Sequence, residues 1–160
     1  MDKLNKERIN MKIAIGFDHG GFPLKKDIIK IIKRMGHEVL DMGAYEIDPE
    51  DDFPDFAAPV AKAVQKNTAK KGIIVCGSGV GANIVANKYK GVRAGLCHDT
   101  YSASQGVKHD DMNVLCLGAR VVGAALAEEL VVSFIEAKLE SKEERFIRRL
   151  NKVKKIENNE

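Results

Sequence analysis

Short apolar runs alternate with amphipathic stretches from Lys12 to the end of the chain. Runs rich in β-branched residues are typical of buried strands, and apolar positions three or four residues apart are typical of helices packed on one side. The predicted strands are Lys12–Phe17, Glu38–Asp41, Ile73–Cys76, Arg93–Cys97 and Val114–Gly118. The predicted helices run from Leu24 to Gly36, Phe53 to Val64, Gly81 through Val85, Tyr101 to Val107, Val122 to Leu139 and onward from about Glu143.

Strands and helices that alternate with short connections predict an α/β protein. We expect a three-layer α/β/α sandwich on a five-stranded parallel sheet, a Rossmann-like arrangement, with a C-terminal helix added to it. Residues 11–157 form one predicted domain, in which this basic helix begins near residue 143. Residues 1–10 carry charges of both signs and no apolar core, so we expect a disordered leader there.

Two predicted helices differ in how much of their surface is apolar. The first has one apolar face, which includes Leu24, Ile28 and Ile32, and its lysines, among them Lys25, are expected to point to water. The Val122–Leu139 helix has more apolar positions than one buried face needs. This excess predicts a surface for a partner chain.

The carboxyl ends of parallel strands meet at one edge of a sheet, and ligands bind beyond that edge. The residues assigned to this edge are Asp18, His19, Gly43, Cys76, Ser78, His98, His109 and Arg120. Three glycines follow Cys76 at alternate positions, at 77, 79 and 81, with Ser78 between the first two. Such a turn lets backbone N–H groups approach a ligand, so we favour an anion or oxyanion cradle over glycines that only ease a tight turn. The turn lacks the ending of a nucleotide P-loop.

The remaining candidate groups are each open to a structural explanation. Cys76 lies at a strand end against a helix N-terminus, a position that favours a reactive thiolate, but buried structural cysteine is equally compatible with it. Asp18 and His19 suit loop ordering as well as chemistry, and His109 with its acidic neighbours suits a solvated loop, a metal site or an acid–base centre. Four basic residues line one side of the last helix and could bind a phosphate, although such faces are usually solvated: Arg145, Arg148, Arg149 and Lys152.

Composition narrows the possible functions. The chain has 160 residues and a net charge of +3, which is too small to favour nucleic acid or a membrane surface as partner. No apolar run approaches the length of a membrane helix. Cys76, Cys97 and Cys116 are odd in number and lack metal-finger spacing, which predicts reduced thiols and a cytoplasmic location.

Five segments occur in the order found in one known enzyme family: KIAIGFDHGGFPLK, FPDFA, GIIVCGSGVGANIVANK, HDDMNVLCLGARVVG and RRL. Together they resemble the type B ribose-5-phosphate isomerases, a family that includes allose- and galactose-6-phosphate isomerases. The resemblance implies a cofactor-free and metal-free enzyme that interconverts ribose 5-phosphate and ribulose 5-phosphate through an enediolate, in the pentose phosphate pathway. It also implies a homodimer or larger homo-oligomer with a site shared between subunits.

The resemblance implies a role for each matching residue. The implied catalytic residues are Cys76, Ser78, His109 and Asp18, and the implied substrate-binding residues are His19, Gly77, Gly79, Gly81, Asp110, Arg120, Arg145 and Arg149. Cys76 is then the base that moves a proton between C2 and C1, and Ser78 with the glycine amides holds the oxyanion. His109, with Asp18, opens the furanose ring. The phosphate is held by His19 and the two arginines of the last helix, with Arg120 as a further contact.

Several positions depart from the family's usual residues. Phe53 replaces a common tyrosine, Asp110 replaces asparagine, and Ser78 replaces threonine, while Lys142–Glu144 and Phe146 replace a Gly-Gly-Arg-His run. Ala82 stands where some members have a glutamate base. These changes leave the reaction class intact but leave a hexose 6-phosphate open as the substrate.

Three other functions stay open at the level of sequence. One is a phosphosugar-binding protein without activity, and another is a hydrolase or transferase with Cys76 as nucleophile. The third is a metal isomerase that uses His109 and Asp111.

Overall fold

The structure is a computed structural model that describes residues 10–159, so the predicted leader lies outside the described residues apart from Asn10. The strands are β1 (Lys12–Phe17), β2 (Glu38–Asp41), β3 (Lys71–Cys76), β4 (Ala94–Leu96) and β5 (Val114–Gly118). The helices are α1 (Lys25–Arg34), α2 (Pro54–Gln65), α3 (Val80–Ala86), α4 (Thr100–Asp110), α5 (Ala124–Glu136) and α6 (Glu144–Glu157). The five predicted strands are confirmed, with β4 one residue shorter at each end.

All four strand pairings are parallel, and the strand order is β2-β1-β3-β5-β4. β3 is the central strand, since β1 pairs with it on one side and β5 on the other. In this register Cys76 lies opposite Gly118, so the ends of β3 and β5 are level. The predicted three-layer α/β/α architecture is therefore confirmed.

The two faces of the sheet bury separate apolar clusters, because successive residues of a strand point to opposite sides. Ile73 and Val75 of β3 pack with α1, α4 and α5, whereas Ile74 and Cys76 pack with α2 and α3. The side chain of Cys76 therefore points toward the face covered by α2 and α3. Helix α6 lies outside these layers and buries Phe146 and Leu150, in contact with α4.

The many apolar positions of α5 have an explanation within the chain. This helix packs against both α1 and α4, and its buried residues are Ala127, Leu130, Val131, Phe134 and Ile135. The ammonium group of Lys71, at the start of β3, donates to the carbonyl oxygens of Phe134, Ile135 and Ala137 at the end of the helix. Burial lowers the pKa of Lys71 to about 8. The inference of a partner surface from this helix is thus not needed.

Two further expectations were wrong. Lys25 is buried rather than solvated, and its Nζ lies 2.9 Å from a carboxylate oxygen of Asp41. Helix α4 continues three residues beyond Val107, so His109 lies near a helix end and not directly after a strand. Among the described residues, no helix is long and apolar enough to cross a membrane.

Candidate active site

A cleft of about 360 Å³ lies at the carboxyl edge of the sheet, over the ends of β1, β3 and β5. Its lining comes from the end of β3, the loops after these strands, the first turn of α3 and the residue before α2: Asp18, His19, Gly20, Phe53, Cys76, Gly77, Ser78, Gly81, Arg120 and Val121. The strand-end positions predicted from sequence therefore meet here, except for Gly43, His98 and His109.

The glycine turn brings a backbone donor to the sulfur of Cys76. The N–H of Gly79 donates to Sγ at 3.0 Å, and Gly79 has a left-handed backbone with φ of 81°. A Cβ on Gly79 would lie 2.5 Å from Leu96 and 2.8 Å from the backbone carbon of Leu117, so no other residue fits without displacing a strand end. The turn is therefore fixed by close packing against β4 and β5, in the geometry that aims the donor at the thiol.

The loop after β5 ties the turn to the other wall of the cleft. The N–H groups of Ala119 and Arg120 donate to the carbonyl oxygens of Cys76 and Gly77 at 2.9 and 3.0 Å. This pairing places the Arg120 guanidinium beside Gly77, about 3.5 Å from where a Cβ of that glycine would stand. A positive charge therefore borders the cleft next to the turn.

The three cysteines have different surroundings. Burial raises the pKa of Cys97 to about 11 and also raises the pKa of Cys116, which is fully enclosed in the core. Cys76 is 5% exposed, but it lines the cleft and accepts the Gly79 N–H. Thiolates are the reactive form of cysteine, so Cys97 and Cys116 suit a structural role and Cys76 is the thiol placed for chemistry.

The remaining polar side chains of the cleft are held by short local contacts. One Asp18 carboxylate oxygen accepts the N–H of Gly21 at 2.8 Å, which orders the loop after β1. Ser78 is exposed, and its Oγ accepts the N–H of Val80 at 3.2 Å. The ring of Phe53 lies against Gly81, where a Cβ would come within 2.7 Å of it. The aromatic ring therefore forms an apolar wall of the cleft.

His19 is paired with a residue that sequence reasoning missed. Its Nδ1 lies 2.6 Å from Oδ1 of Asp51, and its backbone N–H donates to the same oxygen at 3.1 Å. The hydrogen bond to Asp51 raises the pKa of His19, and the charges of Asp51 and Asp18 add to this, while partial burial and Arg120 oppose it. Asp51 stands among several acidic residues in a loop, so the sequence alone gives no reason to prefer it to its neighbours.

His109 lies at the opposite edge of the sheet, with a second group of predicted residues. The turn after α4 precedes the amino end of β5, and Asp111 there pairs with Arg93, which precedes β4. The His109 ring stacks on Phe146, with centroids 3.9 Å apart, and Nδ1 lies 2.9 Å from Nε2 of Gln105. We refer to His109, Asp110, Phe146, Arg145 and Arg149 as the distal cluster.

The charged side chains of the distal cluster are open to solvent, whereas Phe146 is buried and His109 is half-buried. Arg145 and Arg149 are exposed on α6, and the Arg145 guanidinium lies 4.9 Å from the Phe146 ring centroid. Asp110 is exposed at the end of α4. The five-residue strand β5 separates the two edges by about 16 Å. A single chain therefore brings Asp18, His19 and Arg120 to Cys76 but not His109, Arg145 or Arg149.

A sequence model of one family, described as Ribose/Galactose Isomerase, matches residues 13–153. The chain belongs to the ribose/galactose isomerase family. It is 43% identical over 129 residues to ribose-5-phosphate isomerase B of Escherichia coli, covering 81% of this chain and 86% of that protein. It is 40% identical over 133 residues to D-erythrulose-4-phosphate isomerase of Pectobacterium atrosepticum, with the same two coverages, 81% and 86%.

A solved structure supports the same family. Ribose-5-phosphate isomerase B of Mycoplasma genitalium, with bound ribulose-5-phosphate, superposes with a TM-score of 0.87 at 39% identity, covering 93% of this chain and 97% of that one. The chain is therefore an aldose–ketose isomerase of sugar phosphates, and the resemblance seen in the sequence is confirmed. The relatives differ in the sugar that their names state, a pentose phosphate for two and a tetrose phosphate for the third.

Proposed function

We propose that this isomerase interconverts ribose 5-phosphate and ribulose 5-phosphate through an enediolate, with Cys76 as the base. The observation that carries the proposal is the hydrogen bond from the Gly79 N–H to Cys76 Sγ, at the cleft where Ser78 and Arg120 also lie. The thiolate is the form of cysteine that accepts a proton, and the backbone N–H of Gly79 is placed to donate a hydrogen bond to that sulfur. The names of the relatives favour a pentose phosphate, as in the pentose phosphate pathway.

The reaction needs a base beside the sugar's C2 and a donor for the charge that develops on its oxygen. In the open-chain aldose, Cys76 removes the proton from C2, and the electron pair moves through C1 onto the carbonyl oxygen. The amides of the glycine turn and the Ser78 hydroxyl stabilise that enediolate oxygen. Return of the proton from Cys76 to C1 and transfer of the O2 proton to O1 give the ketose with a neutral C1 hydroxyl group. No electron leaves the substrate, so the balance requires no redox cofactor.

We propose that each complete site is formed by two chains. The cleft supplies Cys76, Ser78 and His19, and the distal cluster of the partner chain supplies His109 for ring opening, with Arg145 and Arg149 for the phosphate. The separation within one chain, about 16 Å, exceeds the length of a pentose phosphate. Large apolar side chains are exposed around the cleft, as expected of an interface: Val80, Ile84, Leu96, Tyr101 and Val121.

Two observations bear on the choice of sugar. Phe53 gives the cleft an apolar wall without a hydroxyl group, and the Pectobacterium relative is named for a four-carbon phosphate. A tetrose phosphate is therefore the second candidate, and the allose and galactose 6-phosphates are the longer alternatives. An isomerase assay over four-, five- and six-carbon aldose phosphates, compared by kcat/KM, decides among them, and binding without turnover on the whole panel would favour a sensing protein instead.

The enediolate mechanism is tested by isotope exchange together with a variant. Turnover of ribose 5-phosphate in deuterium oxide should place deuterium at C1 of the ketose or C2 of the aldose, which NMR detects. Cys76→Ala should lower kcat about 10³-fold, the middle of the 10²–10⁴-fold range typical of general-base catalysis, and leave sugar-phosphate binding measurable by calorimetry. Cys116→Ala is the matched control for losing a buried thiol. Active enzyme without deuterium uptake would contradict the enediolate.

A further inference from the structure

Asp51 has no role in the assignments above, yet it makes the shortest contact of any side chain with His19. It lies in the loop between β2 and α2, where its own N–H donates to the carbonyl oxygen of Asp48 at 3.1 Å. Its side chain is only 8% exposed. Oδ1 faces both the backbone N–H and the ring Nδ1 of His19, so one carboxylate oxygen fixes this residue at two points.

This double contact determines which ring nitrogen faces the cleft. Nδ1 is engaged by Asp51, which leaves Nε2 as the nitrogen available to a ligand, and His19 lines the cleft with Arg120. The second oxygen of Asp51, Oδ2, is buried and has no hydrogen-bond partner among the described residues. A buried carboxylate in this position is stabilised by a cationic neighbour, and a protonated imidazole is the cation that it contacts.

We propose that Asp51 is a positioning residue, which holds His19 as an imidazolium with its Nε2–H presented to the phosphate group of the substrate. The ligand in this statement rests on the proposed function, whereas the pairing of the two side chains does not. The Nε2–H of an imidazolium donates a charge-assisted hydrogen bond to a phosphate oxygen. A neutral ring that keeps its one proton on Nδ1, facing Asp51, has no proton on Nε2 to donate. Asp51 would then act on phosphate binding through His19, without touching the substrate.

The same side chains could be read as a cation site, because ligand atoms of Asp18, His19 and Asp51 lie within 4.8 Å of one another. The distance of 2.6 Å between Nδ1 and Oδ1 argues against that reading. Two ligands of one tetrahedral ion, each about 2.0 Å from the metal, stand about 3.3 Å apart. A separation this short fits a charge-assisted hydrogen bond from the ring nitrogen to the carboxylate oxygen.

The charged groups around His19 determine the pH range in which the pairing matters. Asp51 and Asp18 favour the imidazolium, Arg120 disfavours it, and Cys76 lines the same cleft. The folded-state pKa of His19 is raised, so the imidazolium is complete at low pH and is lost as the pH rises through that raised value. A phosphate monoester becomes a dianion above about pH 6. The pairing therefore contributes most between pH 6 and the raised pKa of His19.

NMR titration of the imidazole resonances tests the pairing without any turnover. The chain has four histidines, so loss of one signal in His19→Gln identifies the resonance. We expect the pKa of His19 to lie above 6.5 in the unmodified protein and to fall toward 6.5 in Asp51→Asn. Asp52→Asn, which removes the exposed neighbouring carboxylate, should leave it unchanged. Inorganic phosphate should shift the His19 signal in the unmodified protein and much less in Asp51→Asn.

Several results would overturn the inference. A His19 pKa at or below 6.5 in the unmodified protein does so even if Asp51→Asn fails to fold, and so does an unchanged pKa in the folded variant. Stoichiometric binding of Zn²⁺ or Mg²⁺ that shifts the His19 signal would favour the cation site instead.

Kinetics separate the inference from the proposed function. Between pH 6.5 and the raised pKa of His19, Asp51→Asn should raise KM for ribose 5-phosphate about tenfold, with kcat within about threefold. The difference should shrink below pH 6, where His19 is protonated in both proteins. A lower kcat at unchanged KM contradicts the positioning role. If no sugar phosphate is turned over, the proposed function fails while the titration still decides the pairing of Asp51 with His19.

Discussion

The cleft and the distal cluster contain the same kinds of residue but differ in how the fold holds them. In the cleft, Cys76 and Asp18 are nearly buried and each accepts a backbone N–H within a loop of a few residues. In the distal cluster, Arg145 and Arg149 extend from an exposed helix. The difference indicates that the cleft is preorganised by its own chain, whereas the distal cluster, under the proposal above, completes the cleft of a second chain.

The largest expected change in activity comes from mixed dimers of two inactive variants. These dimers test directly whether the cleft of one chain works with the distal cluster of another. Cys76→Ala and His109→Asn should each be nearly inactive alone, since each removes one half of every site. When the two variants carry different tags and the mixed dimer is purified, one of its two sites receives both intact halves. About half of the unmodified activity should return, a rise of at least about 10²-fold over either variant.

The matched control combines Cys76→Ala with Ser78→Ala, because both residues belong to the same cleft. No site of that mixed dimer is intact, and only one of its two sites has Ser78→Ala without Cys76→Ala, so activity should stay at about half the level of the Ser78→Ala dimer. An inactive Cys76→Ala/His109→Asn pair, or a fully active monomer, would contradict a site built from two chains.

The next largest expected change is in the kcat/KM of a variant in which the glycine turn of the cleft cannot keep its close packing. Gly79→Ala should lower kcat/KM about 10²-fold and unfolding free energy by about 2–4 kcal/mol, because the new Cβ meets the Leu117 backbone and the residue keeps a φ of 81°. Gly36→Ala is the matched control: its φ is 84°, but no atom lies within 4 Å of the new Cβ. It should cost about 1–2 kcal/mol in denaturant unfolding and leave kcat/KM unchanged. Equal effects of both substitutions on kcat/KM would show that the cleft needs no close packing.

The smallest expected change is in the KM of a variant of the distal cluster. Arg149→Ala should raise KM about tenfold with little change in unfolding free energy, since the guanidinium is exposed and its expected contact is a phosphate from the partner's cleft. Arg148→Ala, one position earlier and also exposed, should change KM less than about twofold. Steady-state kinetics measure both, and equal effects would assign the basic face to general electrostatic attraction.

Local sequence patterns were sufficient to predict the strands, the parallel sheet and the residues of the glycine turn. The continuous apolar run of β3 and the glycines after Cys76 are properties of adjacent residues, so no tertiary information was needed to predict them. Lys25 shows where this reasoning ends. Its position on a helix predicted that its side chain points to water, but the end of β2 lies beside it and supplies Asp41 as partner.

The sequence by itself determined the class of fold, the family and the set of side chains available for chemistry, because these follow from residue types and their spacing. Only the tertiary structure decided which of them meet. Strand order and the length of α4 placed His109 at the edge opposite Cys76, and the loop after β2 brought Asp51 to His19. Contacts between residues 32 positions apart are decided by how the elements pack, and spacing along the chain carries no record of that packing.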